Sequence, residues 1–151
     1  MGAPSIERIE HWTLVANDVA KTKQFYLDVL GAREPDRGGG PVCVELANTI
    51  VDIFPSGEGR QPSPGSGGQH HAYVIPLSDY DAWVEQFKKH AVKTRLATHR
   101  FHRMSIYFDD PEGYHFEFFC ELPNDEVGKQ EMAKRGLLEE AERRMRGRGG
   151  A

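Results

Sequence analysis

Residues 114–119 read Tyr114-His115-Phe116-Glu117-Phe118-Phe119, an aromatic-rich run with one carboxylate, Glu117, in its interior. Such a run is typical of a buried β-strand, where a carboxylate is uncommon. Two imidazoles stand in similar surroundings, His11 in residues 9–15 (IEHWTLV) and His70 in residues 70–75 (HHAYVI). The three positions share one pattern, a metal-ligand type of side chain inside a strand-like segment.

Two histidines and one carboxylate form the facial triad that binds ferrous iron and leaves positions open for substrate and oxygen. Side chains alternate along a strand, so His11 shares a face with Thr13, whereas His71 points away from the face of His70. We therefore interpret His71 as structural. The sequence predicts that His11, His70 and Glu117 converge on one iron site.

Composition limits the class of protein. With 151 residues and ordinary apolar and charged fractions, the chain is long enough for one domain with a hydrophobic core. With a net charge of −4, the protein as a whole is not expected to attract nucleic acid. The basic residues 143–148 are interpreted as a solvated end of the chain. No signal peptide or membrane-spanning run is recognised, so we expect a cytoplasmic protein. There, Cys43 and Cys120 are expected to be buried thiols rather than a disulfide.

The order of elements in the first half recurs in the second. First come a strand at 8–16, a helix that Asp18 caps and Gly31 ends, and β-rich runs at 31–36, 41–46 and 49–54. After a Gly-, Pro- and Ser-rich segment come a strand at 70–76, a helix capped by Ser78, and strands near 92–97, 103–108 and 114–120.

This repetition predicts an α+β fold of two paired βαβββ modules in a single domain, residues 1–151. Module one takes 7–55, the crossover loop 55–68, module two 69–121 and a C-terminal helix 123–146. The helix is interrupted at Gly136, and its polar sequence is typical of a helix that packs on the domain or on a partner subunit. We expect each sheet to carry its helix on one face and to curl around a cavity on the other.

Four motifs together resemble the vicinal oxygen chelate superfamily, which includes glyoxalases, bleomycin-resistance proteins and extradiol dioxygenases. They are His11-Trp12-Thr13-Leu14-Val15, Phe25-Tyr26-x-x-Val29-Leu30-Gly31, His70-x-Ala72-Tyr73 and Asp110-Pro111-Glu112-Gly113-x-x-x-Glu117. The resemblance covers roughly residues 7–121 and leaves the C-terminal helix outside. It implies paired βαβββ modules around a divalent metal, held here by His11, His70 and Glu117.

The segment before Glu117 resembles the signature of ring-cleaving extradiol dioxygenases more specifically. His99, Ile106-Tyr107, Asp110-Pro111, Gly113 and Glu117 follow its order, but Ala97 stands where the signature has Gly, a β-branched residue or an amide. Those enzymes also supply an acid–base histidine shortly before the second metal histidine. Residues 56–69 contain none, so the proton shuttle is absent or has moved to His99 or His102, which we expect in a loop at 98–103.

This resemblance implies an Fe(II)-dependent dioxygenase that uses O2 to open a catechol ring into a yellow semialdehyde. The resemblance is greatest to the single-domain L-DOPA 2,3-dioxygenases of bacterial natural-product pathways. It also implies a homodimer that binds only small molecules. Tyr107 with His99 or His102 would be catalytic. The substrate contacts are assigned to Thr13, Arg100 and Arg103, with Arg95 another cation nearby.

Other activities in the superfamily stay open. Asp52 lies in residues 49–54, which mirror the strand of Glu117; a fourth ligand there would favour glyoxalase- or epimerase-type Lewis-acid chemistry. A fosfomycin-type thiol transferase would also use His11, Thr13, His70, Tyr107 and Glu117, but the arginine that follows in that group has no clear match. A non-catalytic sequestering protein of the bleomycin-resistance kind is disfavoured, because all three ligands are retained.

Overall fold

The computed structural model describes residues 5–65 and 68–147, which divide into two compact units. Among the described residues, unit one comprises 5–64 with 110–113, and unit two comprises 65 and 68–109 with 114–147. The elements of the described ranges are β1 (His11–Ala16), α1 (Val19–Asp28), β2 (Val42–Leu46), β3 (Thr49–Pro55), β4 (His71–Val74), α2 (Tyr80–Lys89), β5 (Thr94–His99), β6 (Arg103–Asp109), β7 (His115–Glu121), α3 (Asp125–Lys134) and α4 (Leu138–Gly147). Helices and two separate small sheets confirm the predicted α+β class.

Unit one is a sheet ordered β1-β3-β2 with α1 packed against β2 and β3. β1 runs parallel to β3, and β2 runs antiparallel to it. Alternation places Leu14, Val51 and Val44 on one buried face, and Tyr26 of α1 is likewise fully buried. As predicted, Asp18 caps α1, since its carboxylate accepts a hydrogen bond from the Lys21 backbone N–H at 2.9 Å.

The Asp110–Gly113 segment packs with unit one, although it lies between strands of unit two. The Tyr26 hydroxyl donates to the buried Asp110 carboxylate at 3.0 Å, and the backbone N–H of Asp18 donates to Glu112 at 3.0 Å. Burial raises the pKa of Glu112, but hydrogen bonds from Asp18 and Asn17 outweigh it and hold that pKa below its usual value. The motif thus anchors the chain between β6 and β7 to the first helix.

Unit two is a sheet ordered β4-β7-β6-β5, parallel only between β4 and β7. The predicted apolar stripe of α2 meets an aromatic cluster formed by alternate residues of the sheet. Ring centroids are 4.4 Å apart for Phe87 and Phe108 and 4.9 Å apart for Trp83 and Phe118. Aromatic packing of this density fixes the register of β6 and β7, because a one-residue slip would send the rings to the opposite face.

The C-terminal segment forms two helices that pack on unit two, α3 and α4, separated near Gly136, whose φ is 69°. The Arg135 guanidinium donates two hydrogen bonds to the carboxylate of Asp81 in α2, with N–O distances of 2.7 and 2.8 Å. Gly128 lies so close to the 99–103 turn that an added Cβ would sit 1.8 Å from the Phe101 carbonyl oxygen. These contacts place α3 against both α2 and the turn between β5 and β6.

Three local predictions were wrong. Residues 31–36 form only an isolated bridge between Arg33 and Glu45, because Pro35 has no N–H to extend a ladder. Ser78 does not cap α2; it lies in the single 3-10 turn Leu77–Asp79, and its hydroxyl donates to Asp79. His99 is the last residue of β5 rather than part of a loop, since it pairs with Arg103 across a tight turn.

No helix in the described part of the chain is long and apolar enough to cross a membrane. Cys43 in β2 and Cys120 in β7 are both free thiols; Cys120 is buried as predicted, whereas Cys43 is only half-buried.

Candidate active site

The strand register of unit two collects polar side chains on the face opposite α2. Tyr107 of β6 pairs with Glu117 of β7, and Ala72 of β4 pairs with Glu117 from the other side. Ser105 lies two residues from Tyr107 and therefore on the same face. A carboxylate is thus flanked by two hydroxyl-bearing side chains.

Glu117 is buried, with 3% of the residue exposed, and its carboxylate accepts hydrogen bonds from several side chains. The Ser105 hydroxyl donates to Oε1 at 2.6 Å, the Tyr107 hydroxyl donates to Oε1 at 2.9 Å, and His70 Nε2 lies 3.0 Å from Oε2. Burial raises the pKa of Glu117, but these bonds outweigh it and hold the pKa below its usual value. The carboxylate is therefore ionised and firmly oriented.

His70 presents Nε2 to this carboxylate because its other nitrogen is occupied. Nδ1 lies 2.6 Å from the Gly68 carbonyl oxygen, which only accepts, so Nδ1 carries the proton in that contact. An unprotonated Nε2 beside a carboxylate needs a cation, either a second proton or a metal ion. If two donor atoms each lie about 2.1 Å from the same metal ion, and the two bonds are at right angles, the donor atoms are roughly 3 Å apart. The pair fits a divalent metal.

Tyr107 links Glu117 to His99. Its hydroxyl proton goes to Glu117, so the oxygen accepts from His99 Nε2, which lies 3.0 Å away. Burial, and then the hydrogen bond to Glu117, raise the pKa of Tyr107, which keeps the side chain a neutral phenol. The Arg95 guanidinium lies 4.3 Å from the centre of the Tyr107 ring, and the His115 ring stacks on it at 5.6 Å. His99, Tyr107 and Glu117 form a connected line of proton donors and acceptors.

The remaining site candidates of unit two lie around the β5–β6 turn. His102 is exposed, and its Nε2 is 3.3 Å from the Asp125 carboxylate of α3, so it faces the helix rather than Tyr107. The Arg103 guanidinium covers the Phe119 ring at 3.8 Å. Arg100 has a left-handed backbone, with φ of 53°.

Unit one carries the other candidates on one face of its sheet. His11 and Thr13 share a face of β1, and Thr13 pairs with Asp52 of β3. His11 Nδ1 is 2.5 Å from the carboxylate of Glu10. Asp52 is 7% exposed, and its Oδ1 has no hydrogen-bond partner among the described residues; Arg37 Nη1 is 3.9 Å away. A buried carboxylate oxygen without a donor is costly, so a cation or donor is expected there.

His11 lies in unit one, whereas His70 and Glu117 lie in unit two. Neither unit by itself contains, among its described residues, a group of three or more His, Cys, Asp or Glu side chains arranged to hold a metal ion. The three-residue metal set stays a prediction, with two of its members in direct contact.

A family model for the Glyoxalase/Bleomycin resistance protein/Dioxygenase superfamily matches residues 8–118. The chain belongs to this superfamily. Its members are mostly metal-dependent enzymes, which agrees with the donor set at His70 and Glu117. The match ends before α3, so the C-terminal helices lie outside the shared fold.

Two curated proteins are similar to the chain in sequence, and one solved structure is similar to it in fold. The chain is 29% identical over 99 residues to mouse mitochondrial methylmalonyl-CoA epimerase, covering 58% of this chain and 55% of that protein. It is 31% identical over 121 residues to the metallothiol transferase FosB of Staphylococcus saprophyticus, covering 74% and 76%. The solved structure of the oxidase ChaP-H2 superposes with a TM-score of 0.61 at 20% identity, covering 77% and 94%.

Sequence reasoning missed two partners of the site. Ser105 was not among the predicted site residues, although its i, i+2 spacing from Tyr107 in a strand could have nominated it as a donor to Glu117. The Gly68 carbonyl that orients His70 leaves no signal in the sequence, because any residue supplies a backbone carbonyl.

Proposed function

We propose that this protein is an iron(II)-dependent extradiol dioxygenase that cleaves a catechol ring, with His11, His70 and Glu117 as metal ligands. The hydrogen-bonded line from His99 through Tyr107 to Glu117 carries the proposal. Ring cleavage must take a proton from a catechol hydroxyl and return one later, and the residues before His70 supply no histidine for this task. The position of His99, one hydroxyl away from the proposed metal-ligand carboxylate, supports giving it this task.

Each residue of the line then has a distinct role. Bound Fe(II) would supply the electron transfer between catechol and dioxygen. His99 would take the catechol proton through the ring nitrogen that does not donate to Tyr107 and later return it, while Tyr107 would donate a hydrogen bond to an oxygen of the substrate. Ser105 holds Glu117 in one rotamer while Tyr107 engages substrate. The Arg95 guanidinium over the Tyr107 ring holds that ring in place.

The finer assignments extend this proposal. L-DOPA is the proposed catechol, with Thr13, Arg100 and Arg103 contacting it, and the protein is proposed to act as a cytoplasmic homodimer. His102 is retained as the alternative acid–base group, although its contact with Asp125 favours His99.

A metal-dependent thiol transferase is the second candidate, favoured by the 31% identity to FosB. It would use the same ligands but needs no proton relay through His99. An epimerase-type reaction, suggested by the mouse relative, would instead make Asp52 a fourth ligand; among the described residues its Oδ1 has no hydrogen-bond donor and only a distant ion pair with Arg37, which favours a further cation there.

The test loads metal-free protein with Fe(II) under nitrogen and then adds air with a panel of catechols. We expect oxygen uptake and a yellow product, both lost in Glu117→Gln. Parallel samples with Mn(II), a thiol and fosfomycin, or with methylmalonyl-CoA, test the competing reactions. Turnover of fosfomycin without any ring cleavage would overturn the proposal. Loss of metal in Asp52→Asn as complete as in Glu117→Gln would favour the epimerase type.

A further inference from the structure

A cavity of about 360 Å³ opens beside the β5–β6 turn of unit two, next to the His99–Tyr107–Glu117 line. Its described lining residues are Thr98, His99, Arg100 and Arg144. His99 belongs both to this cavity and to the contact with Tyr107, so a ligand in the cavity would lie against the proposed reaction site. The cavity is large enough for a substituent of a small substrate.

The lining is cationic. Arg100 and Arg144 contribute two guanidinium groups, and no carboxylate is among the described lining residues. Arg100 has no ion-pair or hydrogen-bond partner in the described part of the chain, and it holds a left-handed backbone that usually favours glycine. An uncompensated guanidinium is suited to an anionic ligand.

Arg144 comes from α4 and is held in place by its own contacts. Its Nη1 donates to the Thr98 carbonyl at 3.3 Å, and its Nη2 pairs with Glu140 at 2.8 Å. Glu140 offsets part of the charge, yet a guanidinium has five N–H donors, so it can bind a further oxyanion. The basic tail was predicted to be a solvated end, and Arg144 is indeed exposed, but α4 folds back onto β5 and brings its guanidinium to the Thr98 carbonyl.

We propose that this cavity binds an oxyanion group of the substrate, a carboxylate or a phosphonate, and that α4 thereby acts as a specificity element added to the superfamily fold. Arg100 and Arg144 contact the oxyanion, while the reacting part of the substrate lies beyond His99. The inference rests on the proposed location of the reaction at Glu117 but not on ring cleavage itself. Gly128 and Lys129 of α3 pack on Phe101 and hold the turn that presents Arg100.

The first test measures binding to metal-free protein, so that no metal can capture the probe. Phenylpropionate, phenylphosphonate and neutral phenylpropanamide are titrated and followed by NMR. We expect both anions to bind more tightly than the amide, and Arg144→Gln or Arg100→Gln to weaken anion binding about tenfold. Arg144→Lys, which keeps the charge, should lose less. Arg143→Gln removes a neighbouring exposed cation and is the matched control. The stronger anion identifies the group.

The second test uses Fe(II)-loaded protein and two substrates, the carboxylated catechol 3,4-dihydroxyphenylacetate and the uncharged 4-methylcatechol. Arg144→Gln should raise KM about tenfold for the carboxylated substrate without changing its kcat, while turnover of the uncharged catechol keeps its native kinetics. If no catechol reacts but the anions still bind through Arg144, the dioxygenase proposal fails and this one stands. Equal anion binding by native protein, Arg144→Gln and Arg100→Gln, whose folding is checked by circular dichroism, would overturn it.

Discussion

A carboxylate buried to the extent of Glu117 survives only because each oxygen has a hydrogen-bond donor or a cation beside it. Oε1 receives the Ser105 and Tyr107 hydroxyls, which leaves Oε2 and His70 Nε2 facing one another. The chemistry of the site follows from this residue, because its neighbours decide which oxygen is available to a metal.

Loss of a metal ligand is the most direct prediction at this scale. His70→Ala and His11→Ala should lose stoichiometric Fe(II), because each removes one of the three proposed ligands. His71→Ala should keep the metal, since its ring packs against Phe116 on the α2 face of the sheet, 5.5 Å between centroids. Metal content by mass spectrometry decides this. Full iron occupancy in folded His70→Ala would exclude the proposed site.

Ser105→Ala should weaken Fe(II) binding about 10- to 100-fold while the fold persists, because a partner that orients a ligand is lost but the ligand remains. Competition with a chelator of known affinity measures the change. Ser78→Ala, on an exposed turn, is the control. An unchanged affinity would mean that Tyr107 alone suffices to orient Glu117.

His99→Gln should lower kcat by about 100-fold at unchanged iron content, the typical contribution of a general acid–base group. His102→Gln should stay near the native rate, because its partner is Asp125 rather than Tyr107. Tyr107→Phe should cost less than His99→Gln, since one hydrogen bond is removed and the ring stays. Steady-state kinetics on iron-quantified variants would separate these cases. A larger loss in His102→Gln would transfer the acid–base role to that residue.

At the scale of elements, the packing of α3 depends on the absence of a side chain at Gly128. Gly128 allows the helix to approach the Phe101 carbonyl, where an added Cβ would lie at 1.8 Å. The close approach places α3 against the turn that carries His99 at one end and Arg103 at the other.

Gly128→Ala should therefore destabilise the protein despite the better helix propensity of alanine. The propensity gain is about 1 kcal/mol, whereas forcing a helix away from a backbone oxygen costs about 1–3 kcal/mol or more. Urea unfolding measures the net change. Gly147→Ala in α4, where nothing lies within 4 Å of the added Cβ, is the matched control. Equal stability of the two variants would show that α3 can shift without cost.

At the scale of the whole molecule, the two thiols lie in different environments: Cys43 is half-buried in unit one, and Cys120 is buried in unit two. Burial raises the pKa of Cys120, so its thiolate is scarce as well as inaccessible. One thiol should react with Ellman's reagent in the native protein, and two should react after unfolding in guanidinium chloride. Cys43→Ser should abolish the native reaction. Two fast-reacting thiols in the folded protein would contradict the packing of β7 against β6.

The sequence alone was enough for most strands, for α1 with its Asp18 cap, and for the α+β class, because hydrophobic periodicity and capping are local properties of the chain. It also nominated Glu117 and His70, since ionisable residues in apolar strands are rare enough to stand out. Alternation predicted that His71 points away from the face of His70. All of these inferences depend on neighbours within a few residues.

Only the tertiary structure decided which residues far apart in the sequence are in contact. His99 rather than His102 meets Tyr107 because the β5–β6 register turns one ring toward the sheet and leaves the other beside α3. Arg144 reaches Thr98 because α4 folds back across unit two, which no local pattern encodes. The contact of Asp110–Gly113 with α1 likewise joins distant segments. Such contacts depend on the packing of whole elements, so residue spacing could nominate the participants but not their partners.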